Sequence, residues 1–247
     1  MNTVSSVALS RLAAQQRVMD VIAGNLANAN TPGFKAGRVQ FSDWLTRERG
    51  TDAPHGDRTI AYTQDRATWR EQRVGTLTHT GNPFDLGITS EGFFTVRTAN
   101  GPRMTRDGRF GLMPDGTLSD SAGSAVLDNN GQPIVLAQTD TQVTIAGDGT
   151  VSSENGQLGK IGVVVPTDPM QLTAEGNTQF RVGSATAPVT SPGLVQGSIE
   201  DSNVQPMLEM TRMIDGERQF QFISQLIQAE SDRQQAVIDK LLPQQQS

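Results

Sequence analysis

Residues 206–242 read PMLEMTRMIDGERQFQFISQLIQAESDRQQAVIDKLL. Met207, Met210, Met213, Ile214, Phe220, Ile223, Ile227, Val237 and Leu241 recur there at intervals of three and four, the period of one helix face, with Glu230 and Gln234 as interruptions. Ser202 or Asn203 supplies a capping side chain, Pro206 suits a first turn where its missing N–H costs little, and Pro243 stops the element. At ~1.5 Å per residue the helix runs on the order of 55 Å.

The other end of the chain carries a matching stripe. In residues 3–29, Leu9, Leu12, Met19, Ala23 and Leu26 fall on a three-four repeat with Gln16 in the open slot, and Val18, Val21 and Ile22 widen it. Gly24 lies inside and costs about 1 kcal/mol relative to Ala. The helix is expected to stop at Asn28-Ala29-Asn30-Thr31-Pro32-Gly33: Pro32 pushes Thr31 out of the α region, and Gly33 takes the positive φ of a type II turn before Phe34. Two stripes this far apart in sequence are buried only against each other or against other copies.

Between the ends the pattern is β. Asn100-Gly101, Asp107-Gly108, Asp115-Gly116, Asn130-Gly131, Asp148-Gly149 and Asn155-Gly156 are dipeptides favoured in type I′ hairpin turns, where both central residues take positive φ. Candidate strands are Asp85–Thr89, Phe93–Thr98, Arg109–Met113, Pro133–Ala137, Val143–Ala146 and Ile161–Pro166, with Gly193–Glu200 returning to close the sheet. No helical pattern intervenes, which favours an antiparallel sandwich or irregular barrel. Residues 41–75 are polar and irregular around Trp44, Ile60, Tyr62 and Trp69, and read as an extended arm or long loop.

The fold class expected is therefore mixed and mainly β: discontinuous terminal helices pairing as a coiled-coil-like stem, with a central antiparallel β domain. The division expected is 1–34 (helix and turn), 35–80 (arm), 81–200 (β domain) and 201–247 (second helix, pairing with the first).

Composition narrows the function. A net charge of −6 argues against a nucleic-acid binder, whose phosphate contacts need a basic face. The charge is uneven: residues 1–40 hold four bases against one acid, and residues 200–247 hold eight acids against four bases, which suits pairing of the two ends. Cysteine is absent, so thiolate chemistry is excluded. No run approaches the ~18 apolar residues of a membrane span, and the first residues lack a basic start followed by an apolar core, so neither membrane insertion nor a cleaved signal peptide is expected.

No catalytic, cofactor or metal site emerges. His55 and His79 have no metal-ligand spacing, and there is no phosphate loop or nucleophile elbow. Asp107, Asp115 and Asp148 sit in turn dipeptides, and Asp128-Asn129-Asn130-Gly131 lacks the alternating ligands and distal Glu of a calcium loop. A carboxylate pair for glycoside cleavage is the sharpest enzymatic alternative.

Three blocks carry a resemblance. Asn25-Leu26-Ala27-Asn28-Ala29-Asn30-Thr31-Pro32-Gly33-Phe34-Lys35 resembles the N-terminal signature of the flagellar axial proteins, the rod and hook family. Gly92-Phe93-Phe94 with Met104-Thr105-Arg106-Asp107-Gly108-Arg109-Phe110, and Glu200-Asp201-Ser202-Asn203-Val204 with Glu209-Met210 and Met213-Ile214, are similar to two further family segments in the same order. Met104 stands where the family usually has Tyr, Gly24 where it usually has Asn, and Glu217 where Gln is common.

The resemblance implies a non-catalytic structural subunit of the bacterial flagellar basal-body rod, without cofactors. The short 41–80 region, Thr80–Asp85 and Asn203–Pro206 look most like proximal-rod members. The resemblance further implies polymerisation through the terminal helices into a shaft across the periplasm. Partners implied are proximal and distal rod subunits, further copies of itself, and the flagellar type III export apparatus. Candidate interface residues are Leu9, Leu12, Met19, Ile22, Leu26, Met207, Met210, Met213, Ile214, Phe220, Ile223, Ile227, Val237 and Leu241. Asn28, Asn30, Thr31, Pro32, Gly33 and Phe34 form the signature turn. Alternatives are a distal-rod or hook-type subunit, a peptidoglycan hydrolase, or a binding module on a helical stalk.

Overall fold

The computed structural model describes the backbone of residues 3–48, 58–176 and 178–241, and within these the side chains of all but 3–6, 41–67, 169, 182 and 238–241. His55 lies outside the described residues. Two long helices stand at the ends, α1 (Thr3–Ala27) and α2 (Pro206–Leu241), and the elements between them are strands apart from one short 3-10 turn. The mixed, mainly β class with terminal helices is what the structure shows.

The chain forms two compact units. One combines residues 1–26, 37–68 and 206–247; the other combines 27–36 and 69–205. In the first, β1 (Gly37–Glu48) pairs with β2 (Arg58–Arg70) in a two-stranded sheet, so 41–48 and 58–70 of the polar stretch are strand rather than loop. Polar sequence hides these strands because their apolar alternation is confined to Val39 and Phe41 in one and Ile60 and Tyr62 in the other. At ~3.3 Å per residue each spans about 40 Å.

The second unit is an antiparallel β domain. Strands β3 (Leu77–His79) and β4 (Leu86–Ile88) pair with the returning segments Ser198–Glu200 and Leu194–Gln196. β5 (Phe93–Thr98) and β6 (Gly101–Thr105) lie inside a nine-stranded sheet that ends on Leu172–Ala174 at one edge and Phe110–Leu112 at the other. Alternation along β5 sends Phe94 and Val96 into the main core with Leu86, Phe110, Leu118, Val126 and Ile161. Phe93 joins Met104, Leu172 and Phe180 in a smaller cluster. Edge-to-face rings mark both, Phe94–Phe110 at 5.0 Å and Phe93–Phe180 at 5.5 Å between centroids.

Two expectations are corrected. Pro133–Ala137 forms only single bridges, Leu127 to Pro133 and Thr117 to Val135, rather than a strand. The Asx-Gly turns are not type I′, because among the described residues Thr178 is the one non-glycine with positive φ. At Gly116, Gly131 and Gly149 the glycine N–H closes the turn onto residue i (Met113, Asp128 and Ala146), so glycine sits at i+3 with positive φ. The aspartate before glycine at 115 and 148, and Asp128 at the start of its turn, instead accept the N–H two residues on.

Candidate assembly surfaces and their buried anchors

The signature turn belongs to the β unit, and its chemistry follows residue by residue. Thr31 N–H donates to Asn28 O at 3.2 Å, and Phe34 N–H donates to Thr31 O at 3.2 Å. Gly33 takes φ 68°, as a type II turn after Pro32 requires. A Cβ on Gly33 would lie 2.3 Å from the Arg106 carbonyl carbon, so only glycine lets this turn approach the Arg106–Asp107 backbone. Its N–H donates to Glu200 O at 2.7 Å. Asn30 stays exposed, and the Phe34 ring lies 5.2 Å under the Arg70 guanidinium.

Lys35 then enters the domain interior. Its Nζ donates to Glu200 Oε1 at 2.6 Å and to Arg73 O at 2.8 Å, and the residue is 1% exposed. The other Glu200 oxygen takes Arg106 Nε, while the rest of that guanidinium donates to the carbonyls of Gly92, Ile88 and Ser90. Glu200 Oε1 also accepts Gly75 N–H at 2.8 Å. Burial pushes the Lys35 ammonium below its ordinary pKa; Glu200 opposes that shift and Arg106 adds to it. Asn203 completes the junction: its Oδ1 accepts Ala36 N–H at 2.7 Å and its Nδ2 donates to Glu71 O and Arg73 O. The three sequence blocks thus meet at one buried point.

In the helical unit, α1 and α2 approach closely at Gly216. Gln15 Nε2 donates to Gly216 O at 3.1 Å, and a Cβ on Gly216 would meet the Met19 side chain at 3.6 Å. Asn25 lies against Glu209, so the pair runs antiparallel. Asn25 exchanges two hydrogen bonds with Gly37, accepting its N–H at 2.7 Å and donating to its O at 3.0 Å. It also donates to Glu209 Oε2 at 3.2 Å. Glu209, 0% exposed, also pairs with Arg38 at 2.8 Å and with Arg212. Burial pushes the Glu209 carboxyl upward, but hydrogen bonds from Arg38 and Asn25 and the charges of Arg38 and Arg212 outweigh it, and its pKa is lowered. The Arg38–Glu209 pair joins the basic N-terminal segment to the acidic C-terminal one. Beside it opens a groove of about 370 Å³ with Val18, Ile22 and Val39 in its wall.

The predicted stripe residues divide by burial. Ile22 is buried, and Leu12, Met19, Leu26, Met213, Phe220, Ile223 and Ile227 are half-buried, on the same faces as the Gly216 contact. Leu9 (66% exposed), Met207 (78%), Met210, Ile214 and Val237 face solvent, and the Leu241 side chain lies outside the described residues. Sequence reasoning missed Leu208, Phe222 and Leu226, which are also exposed and, with Val237, form another apolar flank of α2. Their spacing of fourteen and four is the signal, hidden because one repeat was followed. Asn25, Lys35, Arg106, Glu200, Asn203 and Glu209 lie within the three sequence blocks, but no local spacing marks them as partners of one another.

Among the described residues, no group of three His, Cys, Asp or Glu residues is arranged to hold a metal ion, and no helix is long and apolar enough to cross a membrane.

Comparison with known proteins gives three family matches: "Flagella basal body rod protein" over residues 6–35, "Flagellar hook protein FlgE/F/G D1 domain" over 87–153, and "Flagellar basal body rod FlgEFG protein C-terminal" over 195–240. The flagellar basal-body rod protein FlgF of Caulobacter vibrioides is 35% identical over 246 residues, 98% of each chain. FlgF of Mesorhizobium japonicum is 37% identical over 218 residues, covering 87% of this chain and 88% of its own. FlgG of Bacillus subtilis is 32% identical over 247 residues, covering 91% and 93%.

Proposed function

The chain belongs to the flagellar basal-body rod protein family, as a structural subunit of the rod, and on that premise we propose that it occupies the proximal rod. Support for the subtype is that relatives named FlgF match it at 35% and 37% identity over most of its length. The subunit is non-catalytic, in keeping with the structural names of its relatives.

Polymerisation runs through α1 and α2, and the observation that carries this reading is the exposure of α2. Met207, Met210 and Ile214 on one side and Phe222 and Leu226 on another remain in water although one face of the helix is already covered. At ~25 cal/mol per Å² of apolar surface, full burial of a fully exposed side chain yields about 1.5–3 kcal/mol, so each of these, about half to three-quarters exposed, yields roughly 1–2 kcal/mol when a neighbour buries it. The neighbours are further rod subunits, proximal and distal, and other copies of this chain. The shaft lies in the periplasm, and the subunit reaches it through the flagellar type III apparatus. The domain division follows the same logic: the helices within residues 1–34 and 201–247 are axial, 81–200 form the outer domain and 35–80 hold the arm, while the turn at 28–34 and the strand at 77–79 go with the β unit.

Deletion of residues 1–26 tests it. The cut spares Asn28–Ala36, which the β unit holds, and removes α1. The truncated protein should stay soluble with its β core intact yet fail to enter basal bodies, leaving cells non-motile. Normal motility would remove the terminal helices from the mechanism.

A further inference from the structure

Apolar seams of Ala, Val, Met and Ile slide at little cost, because a shift of one turn brings another apolar residue opposite. In this protein α1 and α2 are long enough to slip, with 25 and 36 residues, and their covered faces carry Leu12, Met19, Ile22, Met213 and Phe220. We propose that the buried Asn25–Glu209–Arg38 cluster is the register lock of the terminal helix pair. It holds α2 against α1 at one antiparallel offset, and it fixes the entry of β1 to the same point. This inference concerns the chain's own helices and does not depend on the rod assignment.

Three observations converge. Glu209 is fully enclosed and its Oε2 is met by Asn25 from α1, while its Oε1 is met by Arg38 from β1 and Arg212 from α2 itself. Asn25, 1% exposed, is filled on every side: both amide hydrogens donate, to Gly37 O and Glu209, and its oxygen accepts Gly37 N–H. Elsewhere along the seam Gln15 donates to a backbone oxygen, Gly216 O, which a neighbouring carbonyl can replace after a slip. A slip one way puts Val21 or Ile22 opposite Glu209, and a slip the other way carries Glu209 past Ala27, the last residue of α1. A one-turn slip leaves a buried carboxylate short of a donor and a buried amide unpaired, a penalty that apolar positions do not impose. A buried Asn that selects one alignment of paired helices acts on the same principle.

Cysteine-free sequence makes the test direct, since introduced thiols report one pair at a time. In the full chain, Met19→Cys with Gly216→Cys reports the native offset, because the Gly216 Cβ position lies 3.6 Å from Met19 Cγ. Met19→Cys with Phe220→Cys reports a slip of one turn. The native pair should oxidise in large preference to the slipped pair. Adding Asn25→Leu and Glu209→Leu should reduce that preference roughly tenfold, with helix content by circular dichroism retained. Arg38 and Arg212 can turn to water in that variant, since their side chains are already 25% and 41% exposed. Met213→Ala, a truncation of the seam alone, should lower both cross-links and leave their ratio unchanged. If the double-leucine variant loses helix content, Glu209→Gln takes its place and should shift the ratio in the same direction. An unchanged ratio in the helical variant, or an equal shift from Met213→Ala, overturns the proposal.

Discussion

Glu200→Gln should destabilise the β unit far more than Lys35→Met, although both break the same ion pair. Glu200 is 1% exposed and serves Lys35 Nζ, Arg106 Nε and Gly75 N–H. Gln keeps the volume but leaves two buried cations facing a neutral amide, and removing one partner of a buried pair costs about 3–5 kcal/mol. Lys35→Met instead takes away a charge whose burial is already unfavourable, as its lowered pKa records. The carboxylate keeps Arg106 and Gly75, and Arg73 O keeps its 3.0 Å bond from Asn203, so the loss is about 1.5–3 kcal/mol for one charged hydrogen bond. A gap of about 2 kcal/mol is near thirtyfold in the folding constant. In a Trp44→Phe background, Trp69 lies in the β unit and is the single fluorescent indole, so urea unfolding reads that unit. With a slope of about 1–3 kcal/mol per M, the two midpoints should separate by roughly 1 M. A midpoint loss for Lys35→Met equal to or beyond that of Glu200→Gln would refute the role given to Glu200.

Glu209 has a lowered folded pKa, so its contribution to the helical unit is present above the ordinary carboxylate range and fades as pH falls through the folded value; Glu209→Gln should flatten the acid limb of the helix signal. Lys35 has the opposite linkage: its folded state binds fewer protons than the unfolded chain, so between its lowered pKa and 10.5 native stability should rise with pH relative to Lys35→Met, as parallel urea titrations would register. Gly33→Ala should cost at least about 1–3 kcal/mol, since a side chain is strained at φ 68° and its Cβ has no room beside Arg106; thermal unfolding of the β unit measures it. Met207→Ser with Ile214→Ser should leave monomer stability within about 0.5 kcal/mol yet prevent incorporation into basal bodies, scored by motility, because both side chains are exposed before assembly.

The helices were legible because their signals are local. Pro206 and the Thr31-Pro32-Gly33 stop act within a turn of themselves, and α1 and α2 begin and end within two residues of the expected positions. Phe93–Thr98 was likewise readable from its own β-rich composition, and it forms the strand expected. Turn type was not, because Asx-Gly serves both a type I′ turn and a type I turn closed by glycine, and the choice depends on the flanking strands. Pro133 lacks a ladder donor, which limits its segment to bridges. The buried anchors were out of reach for another reason. Lys35 meets Glu200 across 165 positions, and nothing in the spacing of a charged residue reveals a partner that distant.

Asn25 and Glu209 stand 184 positions apart, with the whole β unit strung between them. The helical unit therefore closes only when α1 and α2 have both arrived. A product cut short before α2 has the first helix but no carboxylate to answer Asn25, and one lacking the start has Glu209 with no amide. A fragment without either helix thus betrays itself by an unclosed clasp.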